Sequence, residues 1–125
     1  MSRIIKKIEI QGKRATALFD TGALFSYVRK TLVSNVPKHR LREPYRVGLG
    51  GTAVDVREMC FVSGAIDGQG IDFDAAPVDN PGRADGHRID VIVGALTMER
   101  WDIRLHPRKG TVEVARPRGG VHMEF

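Results

Sequence analysis

Only one short stretch of this chain, Ala95-Leu96-Thr97-Met98-Glu99-Arg100-Trp101, is rich in helix formers. Almost everything else is a succession of short β-prone runs in which Val, Ile and Thr recur, cut by glycine-bearing turns. A chain punctuated in this way is confined to mostly-β architectures with a single helix in its C-terminal half. Residues 4–10 and 13–19 read as a hairpin around Gln11-Gly12, whose second strand delivers the chain to Asp20. Residues 45–47 and 52–57 read as a second hairpin around Gly48-Leu49-Gly50-Gly51, because Val54, Val56 and Glu58 alternate with Asp55 and Arg57. Further strands are expected over 59–66, 71–78 and 89–93, and a last hairpin joins 103–105 to 111–115. Residues 26–33 admit a short strand followed by a turn of helix, and the sequence does not decide between the two. Residues 37–44 read as a basic connector with two prolines, 67–70 as a turn, 79–88 as an exposed loop and 116–125 as a tail.

The 125 residues match one ordinary domain, expected over 1–125, and 42% hydrophobic content is enough to fill one core. The formal charge of +5 raises the possibility of a nucleic-acid partner. The cations are spread from Arg3 to Arg118 without a dominant block, which fits a solvated basic surface instead. Cys60 is the only cysteine, so no intrachain disulfide forms, consistent with a reducing, cytoplasmic setting. The start Met1-Ser2-Arg3-Ile4-Ile5-Lys6-Lys7 returns to charge too soon for a signal peptide. The strongest apolar run, Val91-Ile92-Val93-Gly94-Ala95-Leu96, is far too short to span a bilayer, so no membrane partner is expected.

Three features stand in a telling order. An apolar strand ends in Asp20-Thr21-Gly22-Ala23, a glycine-rich hairpin tip follows at Gly48-Leu49-Gly50-Gly51, and a second apolar strand ends at Gly94 and opens the helix. Each alone is weak, since Asp-Thr-Gly is a common turn and a glycine-rich tip commonly serves only positive φ. Together they resemble the retropepsin-like aspartic proteases, including the single-domain bacterial members, over most of the chain. Ala17-Leu18-Phe19-Asp20-Thr21-Gly22-Ala23 resembles the family's active-site motif, and Ser26-Tyr27-Val28 the stretch that follows it. Gly48-Leu49-Gly50-Gly51 sits where the flap tip would lie. Val91-Ile92-Val93-Gly94-Ala95-Leu96, with Trp101-Asp102-Ile103 beyond it, resembles the second apolar-glycine motif. The fold implied is a closed β-barrel with a β-hairpin flap and one short helix.

The chemistry agrees with the resemblance. Peptide hydrolysis without a metal or a covalent intermediate needs one group to activate water and another to protonate the amide. Two carboxylates a few ångström apart cannot both ionise, so a pair fills both roles. This chain carries one such motif, and a two-fold homodimer brings two copies of Asp20 together. The catalytic residues expected are Asp20, Thr21 and Gly22, and the resemblance implies that Thr21 bonds across the axis. Residues expected to touch a peptide or protein substrate are Ala23, Leu24, Phe25, Gly48, Leu49, Gly50 and Gly51, with no cofactor and no metal. Two departures stand out, because many viral members place a carboxylate and a partnering arginine where this chain has Leu24 and Ala95. Those substitutions give weight to a different class of protein, a non-catalytic binding or dimerisation module with the protease fold.

Rival signals are weaker. Gly48-Leu49-Gly50-Gly51-Thr52 lacks the following helix that a phosphate cradle needs. His39, His87, His106 and His122 lack zinc-ligand spacing. Cys60, within Met59-Cys60-Phe61-Val62, reads as a buried thiol rather than a nucleophile.

Overall fold

A computed structural model describes residues 2–115 and 123–125. The tail expected from residue 116, its Gly119-Gly120 and His122 therefore lie mainly outside the described residues. Strand β1 (Arg3–Ile10) and strand β2 (Lys13–Asp20) form the first hairpin. Both turn residues have positive φ, 52° at Gln11 and 75° at Gly12, the conformation that matches a two-residue turn to the twist of its strands. Strand β3 (Tyr27–Arg29) runs into a single 3-10 turn, Lys30–Val33, so the stretch left undecided contains both elements.

Strand β4 (Lys38–Leu49) and strand β5 (Thr52–Val62) make the long second hairpin. The expected proline-bearing connector over 37–44 is thus mostly strand. Pairing stops after Arg40 and resumes at Tyr45, and Pro44 lies in that unpaired interval on an edge strand. A proline is tolerated there because no neighbour needs its missing N–H.

The expected continuous strand over 59–66 breaks at Ser63 into β5 and β6 (Gly64–Ile66). The turn expected over 67–70 contracts to Asp67-Gly68, since β7 (Gln69–Gly70) pairs back onto β6. Strand β8 (Phe73–Val78) follows. The expected loop over 79–88 contains a small hairpin, β9 (Arg83–Ala84) with β10 (His87–Arg88), and Pro81 and Ala84 are buried. Strand β11 (Val91–Val93), helix α1 (Ala95–Trp101) and the hairpin β12 (Ile103–His106) with β13 (Thr111–Val114) complete the order.

Among the described residues nine strands share one sheet, in the order β4-β5-β8-β3-β11-β2-β1-β6-β7. The sheet curls into a half-barrel, and Ser63 shows how its two sides are joined. The end of β5 pairs with β8, whereas β6, one residue later, pairs with β1 on the far side. The Gln11 N–H donates to the Ser63 carbonyl (2.8 Å), and the Ile71 N–H donates to the Gly64 carbonyl (2.8 Å). One chain segment therefore ties both sides of the sheet, while β4 remains an edge strand.

The strands nearest Asp20 are buried on both faces, and strand periodicity sorts their side chains. Ala15, Ala17 and Phe19 of β2, Val28 of β3 and Val91 and Val93 of β11 enter the larger core, which also holds Cys60. Leu18, Tyr27 and Ile92 enter a second cluster with Leu49 and Val56 of the long hairpin. Asp20, two residues beyond Leu18, shares its face.

Arg29 is buried although it is charged. Its Nε donates to Asp90 Oδ1 (3.2 Å), Nη1 to the Asp79 carbonyl (3.1 Å) and Nη2 to the Ile89 carbonyl (2.6 Å). The second Asp90 oxygen accepts the Thr16 N–H (2.9 Å). One guanidinium thus joins β2, β3 and the chain entering β11. Arg29→Ala should lower unfolding stability by about 3 kcal/mol, because it leaves one Asp90 oxygen and two carbonyls without their Arg29 donor. Urea denaturation checks this, and an unchanged midpoint would deny the network its structural role.

Candidate active site

The loop that carries Asp20 is held by main-chain bonds. The Asp20 Oδ1 accepts the Gly22 N–H (2.8 Å), and the Asp20 carbonyl accepts the Ala23 N–H (3.1 Å). Aspartate followed by threonine and glycine suits such a turn, because a short carboxylate reaches its own backbone two residues on. Thr21 is bound within its own chain in this structure. Its N–H donates to the Ser2 carbonyl (3.0 Å), and its Oγ1 accepts the Ser2 N–H (2.8 Å).

The far side of the loop sits on the start of α1. The first N–H groups of a helix have no partner inside it. Here the Ala95 N–H donates to the Ala23 carbonyl (2.7 Å) and the Leu96 N–H to the Leu24 carbonyl (3.2 Å). The Gly94 N–H donates to Ser26 Oγ (3.0 Å), which lies 2.7 Å from Thr97 Oγ1, and both hydroxyl residues are buried. Gly94, at the helix N-cap, has an ordinary extended φ of −91°, so it is needed for space. A Cβ at this position would overlap the Phe25 carbonyl oxygen and lie 2.9 Å from the Ala23 carbonyl oxygen.

A cleft of about 400 Å³ opens beside Asp20. Its floor is Leu18, Tyr27, Ile89 and Ile92, one wall is Gly22, Ala23, Leu24 and Phe25, and the other is Tyr45, Val47, Gly48, Leu49 and Gly50 of the long hairpin. Alternation along β4 puts Tyr45, Val47 and Leu49 on its inner side. The turn itself is only Gly50-Gly51, with φ of 56° and 84°, values that favour glycine at both positions. Its tip lies near the segment before β9, and a Cβ added at Gly50 would come within 3.6 Å of the Gly82 Cα. The Phe25 and Tyr45 rings lie 5.9 Å apart across the cleft. Burial, reinforced by a hydrogen bond with Tyr45, pushes the Tyr27 phenol well above its ordinary value, so it remains a neutral donor.

Of the residues expected from sequence, Asp20, Gly22, Ala23, Leu24, Phe25, Gly48, Leu49 and Gly50 line this cleft, whereas Thr21 and Gly51 do not. Leu24 and Phe25 are exposed. Sequence reasoning missed Arg3, Tyr45, Val47, Pro81 and Arg83, which also line it. Arg3 was accessible through the first hairpin, whose register pairs it with Asp20. Pro81 and Arg83 arrive by a tertiary contact with no local signal. A larger cavity of about 540 Å³ lies outside the hairpin, against 77–80, and includes no residue of the Asp20 loop. Cys60 is buried, and burial raises its thiol pKa, which argues against a nucleophile.

Gly94→Ala should displace the 23–25 loop, lowering stability by about 3 kcal/mol and disturbing the Asp20 position. Ser26→Ala should cost about 1 kcal/mol through the bonds it removes. Chemical denaturation of both variants checks the ranking, and a Gly94→Ala protein as stable as the wild type would contradict the packing described.

No family model matches the chain, and no curated protein matches it in sequence. Solved structures do. The retroviral protease-like domain of Ddi1 from Leishmania major superimposes with a TM-score of 0.64 at 14% identity, covering 94% of this chain and 91% of that one. The EIAV protease, solved with an inhibitor, gives a TM-score of 0.60 at 18% identity, covering 84% of this chain and 93% of that one. Both likenesses cover nearly the whole of the compared domains, and at these identities what they show is a shared fold. The chain has the retropepsin-like protease fold.

Proposed function

We propose that this protein is an aspartic endopeptidase, active as a homodimer in which two copies of Asp20 form one catalytic pair. The observation that carries the reading is the placement of Asp20 at the cleft, on a loop seated against α1 and facing a glycine-tipped hairpin. The EIAV protease of like fold, solved with an inhibitor, supports it.

In the paired site the two carboxylates share one proton and titrate as a unit. The ionised member takes a proton from water as the water oxygen bonds to the scissile carbonyl carbon. The protonated member gives its proton to the carbonyl oxygen. As the C–N bond breaks, the pair gives its proton to the amide nitrogen and takes one back from a hydroxyl of the tetrahedral intermediate, which becomes the product carboxylic acid. The Gly22 N–H on Asp20 Oδ1 orients each carboxylate. The hairpin acts as the flap, its Gly50-Gly51 turn opening from the 81–83 loop to admit an extended peptide.

A second reading, a non-catalytic binding or dimerisation module, is favoured by the apolar side chains of Leu24 and Leu96, both exposed beside the Asp20 loop. They would suit a surface that docks protein without cutting it.

Asp20→Asn should abolish cleavage of a diverse peptide pool while leaving the circular dichroism spectrum and the mass in solution unchanged. Cleavage that survives this substitution removes the aspartic mechanism. Silence from the wild type, with the dimer intact, favours the binding module.

A further inference from the structure

The apolar cleft carries three charged side chains per chain, and their signs are unequal. Arg3, Asp20 and Arg83 line it, and among the described residues Asp20 is the only carboxylate that does. Arg3 stands opposite Asp20 in the β1–β2 register, so the two side chains leave the sheet on the same face. Arg83 opens β9, close to the tip of the long hairpin, and its Nη2 donates to the Gly86 carbonyl (2.8 Å), which restrains the guanidinium. Both arginines are exposed, and no ion pair among the described residues uses either of them.

Some arginines elsewhere in the chain are paired with carboxylates. Arg29 bonds Asp90, Arg46 and Arg57 meet Asp55, and Arg104 meets Asp102. Arg3 and Arg83 keep their charge for whatever enters the cleft. In the paired enzyme the imbalance grows, because four arginines face one negative charge shared by two aspartates. A cleft whose walls are apolar and whose rim is cationic attracts anions and repels cations at close range.

We propose that the cleft selects peptides that carry an acidic side chain, Asp or Glu, beside an apolar residue, with Arg3 and Arg83 as the residues that determine this preference. Leu18, Phe25, Tyr45, Val47 and Ile92 take the apolar side chain, and the guanidinium groups take the carboxylate, which Arg binds in a forked geometry. A lysine at the same position meets like charge. The inference rests on the peptide-binding role proposed for this cleft and adds the chemistry of its ligand.

The test uses the Asp20→Asn protein, which binds without cutting, and labelled peptides sharing an apolar core but carrying Glu, Gln or Lys at each flanking position in turn. Fluorescence anisotropy should show at least one position where the Glu peptide binds on the order of tenfold more tightly than its Lys counterpart. The difference should shrink in high salt, shrink with Arg3→Gln or Arg83→Gln, and shrink further or reverse with Arg83→Glu. Equal binding of the three peptides, no binding at all, or a preference that survives the arginine substitutions would overturn the proposal. Wild-type cleavage of the same peptides separates the two levels. Cutting without an acidic preference leaves the peptidase and removes the selectivity. An acidic preference in binding without cutting by the wild type leaves the selectivity and removes the peptidase.

Discussion

Two peptide N–H groups at the start of a seven-residue helix hold the loop that bears Asp20. The donors of Ala95 and Leu96 have no partner within the helix, and the carbonyls of Ala23 and Leu24 have none within the loop, so each set satisfies the other. This exchange requires the two backbones to meet at Gly94, where even one Cβ would collide with the Phe25 carbonyl. Ser26 and Thr97 close the joint with a buried hydroxyl pair. A carboxylate on a tight turn would otherwise wander by more than catalysis tolerates. The joint fixes it to the same core that holds β11.

That core is shared between two faces of the same strands. Phe19 points into the larger cluster, while Leu18 and Asp20 point toward the cleft, so sealing one face positions the other. Arg29 anchors the arrangement from behind by joining three segments that are far apart in sequence. The long hairpin is held more lightly at its tip, where Gly50 and Gly82 face each other without side chains and a Cβ at either would only just reach the other's Cα. A rigid floor and a lightly held cover are what a site needs if it must enclose an extended chain and release it.

How much was legible in the sequence follows from the range of the interactions. Gln11-Gly12 announced its hairpin because its requirement is local, and the register it sets brings Arg3 opposite Asp20. Gly50-Gly51 likewise revealed a turn, though only these two residues form it, and Gly48 belongs to the strand. The apolar run before Asp20 read correctly as a strand. Pro37 and Pro44 disguised β4 because proline argues against strand, and an edge position removes that objection. The break at Ser63 was hidden because nothing at that residue differs from an ordinary strand until both neighbours, β8 and β1, are known. The Arg29–Asp90 pair spans 61 residues, and neither residue signals the other. Gly94 was visible as a motif, but its reason, the close approach of the Phe25 carbonyl, exists only in the packed structure.

The central claim is that one active site needs an Asp20 from each of two chains. Mixing wild-type chains with Asp20→Asn chains, unfolded together and refolded in varied proportion at constant total protein, tests it most directly. If the pair is shared, each mixed dimer is dead, and total peptidase activity falls as the square of the wild-type fraction. Activity that falls in simple proportion to that fraction would mean each chain carries a complete site of its own, and the shared carboxylate pair would have to be abandoned.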